Sequence, residues 1–160
     1  MVEKNKNIAE LEMVDISSKN STFRTATAQA EVKLPKQIIK LIIENKIPKG
    51  NVLNIAQIAG FMAAKNAWNV IPMCHLINID FVNIEFVVKT NKIIIKSTVK
   101  AFAKTGVEME AIHSASIAAI TIYDMCKSIY KGIEITKIKL LKKEGGKSGI
   151  YINDSKRMKR

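Results

Sequence analysis

The chain has 160 residues, 48% hydrophobic and 25% charged, which suits one compact domain with a sizeable core. It holds no run of about eighteen uncharged apolar residues, and Met1–Glu10 lacks an apolar signal-peptide core, so membrane spanning and secretion are not expected. The net charge of +12, from 26 basic and 14 acidic residues, points to an anionic partner such as a nucleic acid, a phosphorylated metabolite or an acidic membrane face.

No repeat or linker divides the chain, which reads as a single domain over 1–160 with flexible ends at 1–10 and 154–160. From Thr25 to Leu34 the residues Ala26, Ala28, Ala30, Val32 and Leu34 alternate with polar ones, the pattern of a half-buried strand stopped by Pro35. A short helix is predicted over Lys36–Asn45. A second is predicted over Asn51–Asn66, with Val52, Ile55, Ala56, Ala59 and Met62 on its buried stripe. Two strands follow, Asn78–Lys89 and Lys92–Lys104, forming a hairpin about Thr90-Asn91. Ile77, Ile79 and Phe81 alternate on the first; Ile93, Ile95, Val99 and Ala101 share one phase of the second. A long apolar helix spans Val107–Lys131, with Thr105 and Glu108 at capping-box spacing and Gly132 at its end. A last strand, Ile133–Lys142, leads into Glu144–Gly149. This order predicts an α+β ferredoxin-like sandwich, an antiparallel sheet with helices packed on one face.

Several segments combine residue types that do chemistry. Lys49-Gly50 stands before the second helix, either as a solvated loop lysine or as a phosphate seat beside free backbone N–H groups. Gly145-Gly146-Lys147-Ser148-Gly149 is either a turn or an anion nest, and lacks the spacing of a nucleoside-triphosphate loop. Cys74 and His75 adjoin each other, but the two cysteines, Cys74 and Cys126, have neither zinc spacing nor the number for a disulfide framework. No metal site is predicted, and the thiols suit a reducing cytoplasm. His75, at an element boundary, is an acid–base candidate or a backbone-bonded histidine. Within the apolar helix, Glu110, His113, Thr121, Asp124 and Lys127 are out of character. Asp124 and Lys127, three apart, form either a structural ion pair or a functional couple. Glu108 and Glu110 also complement the helix dipole. On one continuous helix Glu110 and Asp124 lie about 21 Å apart, so a small substrate touching both needs a site built from two chains.

Met13–Ser17, Thr22–Ala26, Lys49-Gly50, Ala56–Lys65, Ile71–His75, Gly106–Ala111, Thr121–Lys127 and Gly145–Gly149 stand in this order. Together they resemble the cyclic pyranopterin monophosphate synthase family, the molybdenum cofactor biosynthesis proteins C, from Met13 to Tyr151. The resemblance implies a ferredoxin-like fold. It also implies a lyase that converts (8S)-3′,8-cyclo-7,8-dihydroguanosine 5′-triphosphate to cyclic pyranopterin monophosphate and diphosphate. It implies a cytoplasmic homohexamer built from dimers, with sites at subunit contacts. No cofactor is implied, although a divalent ion can accompany the triphosphate. Catalytic roles fall on Asp124, Lys127 and Lys49. Substrate binding falls on Met73, Cys74, His75, Met109, Glu110, Glu108, Arg24, Lys65 and Lys147. Leu76, Ala30 and Trp68-Asn69-Val70 depart from the family pattern, which bears on pocket shape.

The residue types suit the reaction. Arg24, Lys49, Lys65 and Lys147 can grip a triphosphate through charge-assisted hydrogen bonds. Asp124 and Lys127 can act as a coupled acid–base pair, their roles depending on whether mutual charge or burial dominates. His75 and Glu110 are placed at the pterin end. The rival reading is a basic ferredoxin-like nucleic-acid-binding module. It calls for exposed aromatics on the strands, and aromatics make up only 6% of the chain. Neither nucleic acid nor membrane is therefore expected as a partner.

Overall fold

The computed structural model describes residues 11–153. It contains β1 (Thr22–Lys33), α1 (Lys36–Ile43), α2 (Val52–Lys65), α3 (Ala67–Val70), β2 (Phe81–Val88) and β3 (Lys92–Ala103). After these come α4 (Glu108–Cys126), β4 (Glu134–Glu144) and β5 (Tyr151–Ile152). The strands lie in the order β2-β3-β1-β4-β5, each paired antiparallel with its neighbour. The first four strands and the helices make the expected α+β ferredoxin-like sandwich, to which β5 adds an edge. The expectation for 1–10 and 154–160 lies outside the described residues.

The alternation in β1 is what joins the two layers. Ala26, Ala28, Ala30 and Val32 are fully buried on the phase that faces α4, beside Ile93, Ile95, Val99 and Ala101 of β3. Small residues on both sides, among them Ala111, Ala115, Ala118 and Ala119, let α4 lie close to the sheet. Helix α2 runs antiparallel along α4. Lys49, before α2, meets Asp124 near the end of α4, and Ala63 in the last turn of α2 meets His113 in the second turn of α4.

Several element details differ from expectation. Strand β1 starts earlier, at Thr22, because Phe23 lies on the open face against Phe102, ring centroids 5.1 Å apart. Phe81 does not continue the inward phase of Ile77 and Ile79. The Asp80 carboxylate accepts the Phe102 N–H at 2.7 Å, the phase flips, and Phe81 faces outward with the Lys100 ammonium 5.2 Å from its ring centroid. On α2 the buried stripe is Val52, Ala56, Gly60, Ala63 and Ala64, while Ile55 and Met62 are exposed. The helix turns its small residues inward because α4 approaches there too closely for larger ones. An added Cβ on Gly60 would lie 3.2 Å from the Ser114 carbonyl oxygen.

Helix α4 also ends earlier, at Cys126, where the N–H groups of Ile129 and Tyr130 both converge on the Cys126 carbonyl and close a tight turn. Gly132 therefore does not cap it. Nor do Thr105 and Glu108 form a capping box. Val107 is the N-cap and makes no side-chain cap bond, so Glu108 is the first helical residue and sits in the wrong place to reach back. Strand β4 runs to Glu144 through two register shifts, with Lys137 at φ 53°. On the open face Glu31 is only 4% exposed. Burial pushes its carboxyl up, but Lys92 and Lys137 outweigh that and hold it below the usual range.

Candidate functional site

At the C-terminal end of α4 three charges meet. The Lys49 ammonium donates to Asp124 Oδ2 at 2.6 Å and to the Asp124 carbonyl at 3.0 Å, and Lys127 Nζ lies 2.8 Å from Asp124 Oδ1. The Lys127 and Lys49 ammoniums hold the Asp124 carboxyl down to about 2, and Asp124 in turn raises Lys127. Charge thus dominates over burial, the question the sequence left open. These side chains are not sunk in the apolar helix: Asp124 is 49% exposed, Lys127 53% and Lys49 42%. The apolar residues around them, Ile122, Met125 and Cys126, take the buried side. Burial alone pushes the Cys126 thiol up to about 11, so it stays protonated.

At the start of α2 the Lys49 ammonium points to Asp124 on α4. Asn51 caps α2, its Oδ1 accepting the Asn54 N–H at 2.9 Å, and Gly50 (φ 97°) swings the chain so that Lys49 reaches α4.

At the N-terminal end of α4 two clefts share Thr105, Gly106 and Glu108. The larger, about 850 Å³, is lined by Arg24, Lys104, Lys143 and Lys147 together with the Gly145–Ser148 loop. Gly145 and Gly146 have φ of +99° and +73°. A Cβ on Gly145 would strike the backbone carbonyl oxygen of Phe23, so glycine is what lets the loop pass so close to β1. Arg24 is aimed by two backbone carbonyls, Ala103 and Lys104, each accepting at 3.3 Å. The smaller cleft, about 370 Å³, is lined by Met73, Cys74, His75, Met109 and Glu110, with Val14 from the N-terminal segment. That segment is held where the Lys104 ammonium donates to the Ser17 carbonyl at 2.9 Å.

Glu110 is the unusual group here. It is only 4% exposed, and burial, seconded by the Glu108 charge, pushes its carboxyl up despite an opposing backbone hydrogen bond. A carboxyl of this kind binds a proton or a hydrogen-bond donor more readily than a surface glutamate. Burial and then Glu110 also push the Cys74 thiol up, which disfavours a thiolate ligand or nucleophile.

Of the residues singled out from sequence, the fold gathers Met73, Cys74, His75, Met109, Glu110, Glu108, Arg24 and Lys147 around the paired clefts. It gathers Lys49, Asp124 and Lys127 at the other end of α4, where they line neither cleft. Lys65 ends α2 on the cleft side of the molecule, exposed and outside both linings. His113 turns away to the Ala63 carbonyl, 3.0 Å from Nδ1. Lys104 and Lys143 also line the larger cleft, though each adjoins a motif without adding to any periodic pattern in the sequence. Among the described residues no group of three or more His, Cys, Asp or Glu is placed to hold a metal ion. Of the departures noted, Ala30 is buried in β1, and Leu76 and Trp68 are exposed.

A protein of Syntrophomonas wolfei named cyclic pyranopterin monophosphate synthase is 52% identical over 144 residues, covering 89% of this chain and 92% of the relative. Proteins of the same name from Clostridium perfringens and Geotalea uraniireducens are 51% identical, over 87% of this chain and 89% of the relative, and 48% identical, over 91% and 92%. The sequence pattern of the MoaC family matches residues 13–146, from the N-terminal segment that reaches the smaller cleft to the glycine loop of the larger one. The chain therefore belongs to the MoaC family.

Proposed function

We propose that the protein converts (8S)-3′,8-cyclo-7,8-dihydroguanosine 5′-triphosphate to cyclic pyranopterin monophosphate, releasing diphosphate, in a site shared by two copies of the chain. The observation that carries this reading is the division of the candidate residues between the two ends of α4. The helix has 19 residues, and about 21 Å of it separates Glu110 from Asp124. The ends come together only if the Asp124 end of one copy docks at the clefts of another. The relatives' shared name supplies the product, and the sequence resemblance the substrate and the leaving diphosphate.

In this site Arg24, Lys65 and Lys147 bind the triphosphate, and the glycine loop supplies backbone N–H donors. Met73, Cys74, His75 and Met109 enclose the pterin end, where Glu110 and Glu108 accept its N–H groups. The substrate's ring system opens and recloses as the pterin, and a substrate hydroxyl oxygen bonds to the first phosphorus, giving up its proton, as the bond from that phosphorus to the diphosphate oxygen breaks and diphosphate leaves. The second copy contributes Asp124, Lys127 and Lys49. In water a carboxylate near 2 beside a raised ammonium neither takes nor gives a proton readily. Docking removes that water, which raises the aspartate, lowers the lysine and brings the two into range for transfer. Dimers of this kind assemble into a homohexamer. The two unpaired thiols, Cys74 and Cys126, fit a cytoplasmic setting.

Mixing tests the shared site. Asp124→Asn and Glu110→Gln chains, each inactive alone, are co-refolded and assayed for diphosphate release. Random pairing restores about a quarter of the wild-type rate if the residues come from different copies of a symmetric assembly. No recovery above the separate variants refutes the shared site.

The nucleic-acid reading gains one observation, the outward Phe23, Phe81 and Phe102 on the open sheet face. It leaves the Asp124 couple and the buried Glu110 without a role. Filter binding over a salt series separates the two readings, because a nucleic-acid complex weakens steeply as salt rises.

A further inference from the structure

Lys143 stands on β4 opposite Ala26 of β1, on the phase that faces α4. Its ammonium lies 3.3 Å from Glu108 Oε1, on the first residue of α4, and donates to Ser148 Oγ at 2.8 Å. One cation thus links the start of the long helix to the far side of the glycine loop. All three residues line the larger cleft, and the Lys143 and Glu108 side chains are 26% and 27% exposed.

Two physical needs meet at this lysine. The loop has little side-chain packing to fix its shape, since Gly145, Gly146 and Gly149 all sit at positive φ and glycine is the most freely moving residue. The cleft carries the cations Arg24, Lys104, Lys143 and Lys147 and two carboxylates: Glu144, which Lys142 pairs, and Glu108, which repels an anion unless it too is neutralised. Lys143 answers both.

We infer that Lys143 is a positioning residue for the diphosphate part of the substrate: it neutralises Glu108 and, through Ser148, holds the glycine-loop N–H groups and Lys147 in place. This rests on the proposed function for the substrate's identity, but not for the anion site.

The test uses inorganic diphosphate titrated calorimetrically into wild type, Lys143→Met, Lys143→Arg, Ser148→Ala and the surface control Lys36→Ala, alongside steady-state turnover of the cyclised triphosphate. Loss of one charge-assisted anchor is expected to weaken diphosphate about tenfold or more in Lys143→Met, with KM rising in step. The turnover number should stay within about threefold of wild type, since Lys143 acts on binding rather than on the reacting atoms. Lys143→Arg should restore most of the affinity, which a purely structural loss at this site would not require. Wild-type diphosphate affinity in Lys143→Met overturns the inference. If that variant does not fold, Ser148→Ala decides: it keeps the ion pair, and unchanged affinity there is equally fatal. A wild type that binds diphosphate but does not turn over the substrate defeats the proposed function, while the titrations still judge Lys143.

Discussion

Gly60→Ala probes the contact that fixes both ends of the site. An alanine Cβ there lies 3.2 Å from the Ser114 carbonyl oxygen and 3.4 Å from Ala118 Cβ, and drives into Cδ1 of Ile84, which is 2% exposed. Either α2 lifts from α4 or Ile84 leaves its rotamer, an overpacking cost of about 1–3 kcal/mol. Better helix propensity returns about 1 kcal/mol. The net loss is about 0–2 kcal/mol, and in a chain of this size each kcal/mol lowers Tm by about 2–4 °C. Ile84→Val deletes the colliding methyl and alone costs about 0.5–1.5 kcal/mol. Urea unfolding at fixed protein concentration should show the double variant more stable than the two losses predict, by about 1 kcal/mol. Additive losses within about 0.3 kcal/mol, or a Gly60→Ala protein more stable than wild type, refute the close-packing argument. Because this contact aligns Lys49 with Asp124, turnover should fall as well.

Asp124→Asn should lower diphosphate release by about 10²-fold or more, the usual contribution of a positioned proton-transfer group; wild-type turnover removes it from the mechanism. Lys49→Ala should lose more activity than Lys36→Ala, and equal rates would dismiss Lys49 from the couple. Glu110 has a raised folded-state carboxyl, so its stabilising contribution is present below the ordinary glutamate range and lost as pH rises through the folded value. Glu110→Gln should therefore be more stable than wild type at pH 7.5, with the difference closing in mildly acid buffer; an unchanged pH dependence of unfolding counts against the buried carboxyl. Asp124 behaves oppositely, its contribution being present above the ordinary aspartate range and disappearing as pH falls through about 2. Since the group is half exposed the effect is small, and unfolding of Asp124→Asn should approach wild type only in strong acid.

The sequence by itself determined the layer architecture and the chemical inventory. The alternation Ala26, Ala28, Ala30, Val32 and the single phase of Ile93, Ile95 and Val99 are local consequences of a two-residue period, so the faces of β1 and β3 could be read directly. The motifs also named the residues that the fold gathers into two clusters. Only the tertiary structure decided which apolar residues stay outside. Ile55 and Met62 yield the buried stripe of α2 to Gly60 and Ala63, because the approach of α4 sets how much side chain fits, and no period records that distance. It also turned Lys49 to Asp124 rather than to a helix end, left Asp124 half exposed, and buried Glu110. Such outcomes depend on what other segments place nearby and how much water they exclude, and both are set between residues far apart in the chain.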